Sequence, residues 1–334
     1  MYNENLYKVQ FHELDLSDKT FLITGGAGFI GSNLVEYLLR YNAGKVRVLD
    51  NLSNGCFKNI NKFLEFENFE FIEGDIRNFE TCKIAVEGME YISHQAALGS
   101  VPRSIKDPKT TNDVNISGFL NVLLAAKESS SLKKFVYAAS SSTYGDSEKF
   151  PKVEGQEGSP ISPYAVTKAV NEIYADVFSR VYNFSSIGLR YFNVFGPNQN
   201  PENPYAAVIP KFCQSFIDKK SPIINGDGET SRDFTFVENV VQANIKSFFN
   251  QSIVKHEIFN IACGDNFSLN EIIKILNEFS DNEIVPTYGP ERIGDIKHSK
   301  ADINKAATIL GYAPKIKFKE GLRLTFENYK QINQ

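Results

Sequence analysis

Residues 20–31 read TFLITGGAGFIG, and this stretch restricts the fold more tightly than any other. A β-prone run leads straight into Gly25, Gly28 and Gly31, and an amphipathic pattern follows as far as Tyr41. Glycines at this spacing meet three needs: a tight turn, close approach of backbone to a pyrophosphate, and tight packing of helix on strand. The helix start then offers unpaired N–H groups and a partial positive charge to phosphate oxygens. The triplet alone would be weak evidence; a strand before it and a helix after it make it a dinucleotide site. The next apolar run, KVRVLD, ends in Asp50, near the offset of about twenty residues expected for an acid on the adenosine ribose. A carboxylate there accepts from both ribose hydroxyls and repels a 2′-phosphate, which favours NAD over NADP. Arg47 lies within the strand and is poorly placed to bind such a phosphate. Gly74-Asp75 closes a third run and is placed to meet the adenine, and His94-Gln95-Ala96-Ala97 closes a fourth. A single histidine at a strand end is expected to be structural, and His94 is given no chemistry.

From Thr20 onward short apolar runs alternate with helical patterns. Strands are expected at Thr20–Thr24, Lys45–Asp50, Phe69–Glu73, Tyr91–Ser93, Phe135–Ser140 and Ser185–Arg190. Helices are expected at Phe29–Tyr41, Phe79–Glu87, Thr111–Lys127 and Pro163–Val181. That alternation predicts right-handed βαβ units, a doubly wound parallel α/β sheet of the Rossmann type covered on both faces. Near residue 192 the rhythm breaks in a stretch rich in proline and asparagine. Beyond it come helical patterns at Ala206–Asp218, Val237–Asn250, Leu269–Phe279 and Asp302–Leu310, with short strands at Pro222–Ile224 and Ile258–Ile261. The expected division is a cofactor domain over residues 1–191, its first 18 residues an extension, and a smaller C-terminal α/β substrate lobe over residues 192–334.

Bulk properties narrow the partners. A net charge of −4 argues against nucleic acid, which calls for a basic face. Four scattered cysteines form no CxxC pair and no metal-ligand spacing, as expected of thiols in a reducing compartment, and no metal is predicted. The polar N-terminus is unlike a signal peptide, and no apolar run reaches the about 18 residues of a membrane span. A cytoplasmic protein without membrane partners is expected.

A second constellation carries chemistry. Ser162-Pro163 reads as N-cap and first helical position, after which Tyr164 and Lys168 fall four residues apart on one helical face. A neighbouring ammonium and a positively charged nicotinamide would favour the phenolate and make Tyr164 a base near neutral pH. The fifth strand ends in Ser140-Ser141-Ser142-Thr143-Tyr144, at the carboxyl edge where open α/β sheets bind ligands. A hydroxyl for proton relay explains that cluster better than a polar strand end.

With GGAGFIG, Asp50, the serine cluster and Tyr164-x-x-x-Lys168 in this order, the chain resembles the extended short-chain dehydrogenase/reductases over nearly its whole length. SSSTYGD, SPYAVTK, GLRYFNVFGP, YAAVIPKF, NGDGETSRDF and GDIKHSKAD are similar to bacterial UDP-N-acetylhexosamine 4-epimerases, including those acting on the corresponding uronic acids. The resemblance implies Tyr164 as catalytic base, Lys168 on the nicotinamide ribose and Ser140 in the active-site hydroxyl position. It places NAD against Gly25, Gly28, Phe29, Ile30, Gly31, Asp50, Asn51, Ser53, Asp75, Ile76, Gln95, Tyr191 and Val194. Substrate would meet Ser100, Ser141, Ser142, Asn193, Ala207 and Val208, with Arg232, Arg292 and Asp295 holding UDP.

Ser299 stands where epimerases restricted to plain UDP-hexoses carry a bulky tyrosine, so an N-acetyl group is expected to fit. Discrimination of that kind is worth only a few kcal/mol. A 4,6-dehydratase would need an acid pair where Ser141 and Ser142 stand; a decarboxylase is harder to exclude, and a non-catalytic redox sensor would not need the Ser/Tyr/Lys set. Arg103 is either a partner for a substrate carboxylate or an ordinary helix-start residue. The family likeness also implies a homodimer through Thr111–Lys127 and Pro163–Val181, with Val122, Leu123, Leu124, Ile173, Val177 and Phe178 as its apolar residues.

Overall fold

A computed structural model describes residues 3–202, 207–280, 283–291 and 297–332. Strands β1 (Thr20–Thr24), β2 (Lys45–Asp50) and β3 (Phe69–Glu73) alternate with helices α1 (Phe29–Arg40) and α2 (Phe79–Val86). Next come β4 (Tyr91–His94), the short helices α3 (Val101–Lys106) and α4 (Pro108–Asn112), and α5 (Phe119–Glu128). A π-helical segment, Asp113–Gly118, joins α4 to α5, so the expected helix begins earlier than Thr111, at Pro108 behind an Asp107 cap. Strand β5 (Lys134–Ser140), the twenty-residue α6 (Pro163–Tyr182) and β6 (Ser186–Tyr191) complete the expected series. Asn183 ends α6 in the left-handed conformation (φ 55°), an asparagine C-terminal stop.

The later chain contains β7 (Val194–Phe195), α7 (Val208–Ile217), β8 (Ile223–Asn225), β9 (Ser231–Arg232), β10 (Thr235–Phe236) and α8 (Val237–Phe249). These are followed by β11 (His256–Ile261), β12 (Phe267–Ser268), α9 (Leu269–Phe279), β13 (Thr287–Gly289), β14 (His298–Ser299) and α10 (Phe318–Ile332). The main sheet has seven strands in the order β11-β6-β5-β4-β1-β2-β3, every pair parallel. Its order reverses between β1 and β4, the switch point where such sheets bind ligands beyond their carboxyl ends. Strands buried on both sides explain the continuous apolar runs.

The sheet separates two cores. On one side α1 and α8 pack with Leu34, Leu38, Val240 and Val241; on the other α2, α5 and α6 pack with Val122, Leu123 and Phe178. These last three residues, expected at a subunit contact, are therefore core residues, whereas Ile173 and Val177 are exposed. Their helices cover a sheet, and the face that does so is apolar for that reason.

Two further expectations change. The strand expected at Ile258–Ile261 within the C-terminal lobe is the edge strand β11, paired with β6, so the chain returns to the main sheet through α8 after leaving it. The helix expected at Asp302–Leu310 reduces to a π-helical turn, Ala306–Leu310, stopped by Gly311 at φ 66°. The N-terminal extension also joins the core: Leu6, Tyr7, Phe11 and Leu16 are buried. The Tyr7 hydroxyl donates to Asn33 Oδ1 at 2.7 Å, and its N–H donates to Glu238 Oε2 at 3.0 Å. No helix among the described residues is long and apolar enough to cross a membrane.

Candidate active site

The glycine turn has the geometry its sequence predicts. Gly25 sits at φ 68°, and a Cβ there would lie 2.7 Å from the backbone nitrogen of Ala96. A Cβ on Gly31 would lie 2.2 Å from the Gly25 carbonyl oxygen, so helix and turn touch only because neither position carries a side chain. Gly28 caps α1 without a side-chain acceptor, leaving first-turn N–H groups for an anion.

Asp50 closes β2 beside this turn. Its carboxylate accepts the Ala27 N–H at 3.0 Å and the Leu52 N–H at 2.8 Å. Burial raises its pKa, and these two N–H groups oppose the rise. Asn51 donates to Asp75 Oδ2 at 2.8 Å. The Arg77 guanidinium donates to both oxygens of that carboxylate and is the main reason its pKa falls to about 2. His94 is buried, bonded to Thr24 Oγ1 at 2.8 Å, and pushed down to about 3 by burial, as befits a structural residue.

Tyr164 and Lys168 leave α6 on the face toward β5. Ser162 caps the helix by accepting the Ala165 N–H at 3.1 Å, which fixes where these side chains emerge. The Ser140 hydroxyl accepts from Ser142 Oγ at 2.9 Å and is the hydrogen-bond partner that holds the Tyr164 pKa down. Burial outweighs it and raises that pKa. Lys168 Nζ donates to the Ala138 carbonyl at 2.7 Å, and burial lowers its pKa to about 8 against the pull of Glu172. The expected lowering of Tyr164 by Lys168 is thus corrected: among the described residues Ser140 opposes burial, while the ammonium is turned to a backbone carbonyl.

The glycine turn, Asp50, Tyr164 and Lys168 share one cleft of about 900 Å³. Gly25, Gly28, Phe29, Ile30, Gly31, Asp50, Asn51, Ser53, Asp75, Ile76, Gln95, Tyr164, Lys168 and Tyr191 all line it, as does Ala207. Val194, Ser100, Asn193, Val208 and Ser140–Ser142 are not part of its lining. Ser100 caps α3 at φ 126°; Asn193 Nδ2 donates to the Asp233 carbonyl at 3.0 Å, stitching β7 to β10. Arg232 and Ser299 are cross-strand partners on β9 and β14, so two expected substrate residues lie side by side. Arg292 and Asp295 lie outside the described residues.

Sequence reasoning missed the cleft's second wall: Asn54, Gly55, Cys56, Lys58, Asn59 and Lys62, with Asn198–Glu202, Gln214 and Tyr329. Asn59 Nδ2 and the Cys56 N–H both donate to the Ala27 carbonyl at 2.9 Å, pinning that loop to the glycine turn. The Ser-Asn-Gly turn at residues 53–55 was the available signal. Arg103, weighed as a partner for a sugar carboxylate or as an ordinary helix-start residue, lines the cleft and donates to Asn54 Oδ1 at 3.0 Å.

The glycine cradle, the acid at the end of β2 and the Ser/Tyr/Lys group at one carboxyl edge define a nucleotide-cofactor enzyme of the extended short-chain dehydrogenase/reductase class. The chain belongs to the NAD dependent epimerase/dehydratase family, whose profile it matches over residues 21–262. It is 35% identical to a putative UDP-glucose 4-epimerase of Methanocaldococcus jannaschii over 94% of this chain and 99% of that one. The structure resembles a UDP-N-acetylglucosamine 4-epimerase from Methanobrevibacter ruminantium in complex with UDP-N-acetylmuramic acid, with TM-score 0.88 and 38% identity over 94% and 99% of the two chains. It also resembles a UDP-glucuronic acid 4-epimerase from Bacillus cereus in complex with UDP-glucuronic acid and NAD, with TM-score 0.86 and 30% identity over 93% and 99%.

Proposed function

We propose that this chain is a UDP-sugar 4-epimerase that interconverts UDP-GlcNAc and UDP-GalNAc through a 4-keto sugar. The observation that carries the reading is that Tyr164 and Lys168, from one face of α6, line the same cleft as the glycine turn and Asp50. The cradle that side chains would fill at Gly25 and Gly31 fits a bound dinucleotide. When bound, NAD supplies the acceptor for the C4 hydride and the donor that returns it.

Tyr164, relayed by Ser140, takes the proton from the sugar O4 and gives it back after the keto sugar has turned about its diphosphate. Lys168, and with it the walls formed by Asp50, Asn51, Ser53, Asp75 and Ile76, holds the cofactor. Ser141 and Ser142 face the hexose from the turn after β5, where an acid pair would be needed for dehydration. Arg232 and Arg292 hold the diphosphate and Asp295 another part of the UDP, and Ser299 beside Arg232 leaves room for an acetamido group. Residues 1–191 serve the cofactor and residues 192–334 mainly the nucleotide sugar, with α8 and β11 returning to the sheet. The protein acts as a cytoplasmic homodimer in this reading.

Similarity to a UDP-glucuronic acid 4-epimerase supports a second substrate reading, the uronic acid of the same acetamido sugar. Incubation with UDP-GlcNAc and with UDP-GlcNAcA separately, with 4-epimers resolved by NMR, tests both. Conversion of UDP-GlcNAc to UDP-GalNAc is expected; turnover of the uronic acid alone transfers the assignment to it, and conversion of neither rejects the acetamido reading.

A further inference from the structure

At the floor of the cleft, where β4, β6 and α8 meet, four polar side chains form a hydrogen-bond chain that can be followed in one direction. Asn244 Nδ2 donates to the Val240 carbonyl and to the Tyr191 hydroxyl, both at 2.9 Å. A backbone carbonyl can only accept, so it decides which end of the Asn244 amide faces it. Asn244 Oδ1 then accepts the Ser93 hydroxyl at 2.9 Å and Gln95 Nε2 at 3.3 Å. With its proton spent on Asn244, the Ser93 oxygen accepts Gln95 Nε2 at 2.8 Å, and the Tyr191 oxygen accepts it at 3.0 Å.

Three acceptors thus surround Gln95 Nε2 and force its Oε1 the other way. That oxygen is buried and has no hydrogen-bond partner among the described residues, although Gln95 lines the cleft. A buried acceptor left unpaired is unfavourable, and a ligand's donor would remove the penalty. The sheet order says which part of a ligand. Asp50 on β2 marks the adenosine side, the Gly25 turn after β1 the pyrophosphate, and Gln95, just after β4, and Tyr191, at the end of β6, lie on the far side.

We propose that Gln95 Oε1 is a preset acceptor for a donor on the nicotinamide-riboside half of bound NAD, and that Asn244 is the positioning residue that keeps it so. This rests on the reading that the cleft takes NAD. Ser93 and Asn244 are fully buried and reach the ligand only through the cleft-lining Gln95 and Tyr191. Two donors share the required chemistry, a ribose hydroxyl and the carboxamide N–H.

Titration calorimetry of the nucleotide-free full chain with NAD⁺, ADP-ribose and ADP tests the proposal. Gln95→Leu is expected to weaken NAD⁺ binding about tenfold, the loss of one hydrogen bond's free energy, while ADP binding stays within about twofold. Asn244→Ala is expected to reproduce that selective loss in the natural chain and to add nothing in the Gln95→Leu background. Ser93→Ala, which removes one of the three acceptors, gives a smaller loss of the same kind and serves if Asn244→Ala does not fold. ADP-ribose identifies the donor: weakened with NAD⁺, it points to the ribose; unchanged, to the carboxamide. Unchanged NAD⁺ affinity in Gln95→Leu, an equal loss for ADP, or full additivity of Asn244→Ala overturns the proposal. Failure of the natural chain to bind NAD⁺ would instead defeat the reading of the cleft itself.

Discussion

Burial acts on Tyr164 and Lys168 in opposite electrical senses: both lose water, so each is pushed toward its neutral form. Lys168 comes down to about 8 and Tyr164 rises. The ammonium is charged below that value and lost above it. If Lys168 holds the cofactor as a cation, NAD⁺ affinity of the nucleotide-free chain falls as pH rises through about 8. Lys168→Arg keeps its charge across this range, and its affinity is expected to stay flat there; equilibrium titrations at neutral and alkaline pH make the comparison. A raised tyrosine is a poor base until something favours its anion, so the positive ring of the oxidised cofactor is given that task in the proposed reaction. Tyr164→Phe is accordingly expected to lower kcat by at least about 100-fold, the scale of general-base loss, with nucleotide still bound. The absorbance of the purified variant and its turnover of UDP-GlcNAc check the two halves of this expectation, and near-normal turnover rejects Tyr164 as the base.

At the scale of elements, legibility followed the source of each signal. Strands β1, β2 and β3 were readable to the residue because turn residues bound them; β1 and β2 are also buried on both faces, whereas β3 is a half-buried edge strand. Strand β11 was readable as a strand but not as a member of the main sheet, since an apolar run does not name its partner. The N-terminal extension looked polar because its core contacts are irregularly spaced, at Leu6, Tyr7, Phe11 and Leu16. The loop at residues 52–62 was opaque for another reason: its position depends on bonds from the Cys56 N–H and the Asn59 side chain to the Ala27 carbonyl. The Asp113–Gly118 π segment was invisible as well, because a single wide turn is too short to stand out as a change of period. Its purpose is legible in the fold. Asn115 is turned inward, accepts the Leu98 N–H at 2.8 Å and donates to the Leu98 carbonyl at 3.2 Å and to Thr167 Oγ1 at 3.1 Å. Asn115 thereby ties the cleft-lining segment 97–99 to α6. Asn115→Ala strands these partners, and a loss of about 1–3 kcal/mol is expected from thermal or denaturant unfolding. A change near zero would mean that water replaces the side chain.

For the whole molecule, the telling surface is the outer side of α6. Val166, Ile173, Val177 and Val181 follow one another at steps of seven, four and four along the helix, and they are exposed, Ile173 by 62% and Val181 by 64%. Isolated apolar residues on a surface are ordinary, but a row of them on one helical face is the pattern of a contact. Ile105 and Val101 on α3 extend the apolar surface, and α3 packs against α6. Of the six residues expected at the contact, Ile173 and Val177 belong to this row, while Val122, Leu123 and Phe178 have no part in it because they face the sheet. A two-fold contact meets itself, so one substitution is felt twice across the interface. Ile173→Glu would place two carboxylates in that apolar strip and leave the cleft lining unchanged. Light scattering at micromolar concentration is expected to give about twice the 37.5 kDa chain mass for the natural protein and a single chain mass for the variant. A natural protein that scatters as one chain removes the homodimer, and a variant that stays paired moves the contact to another face.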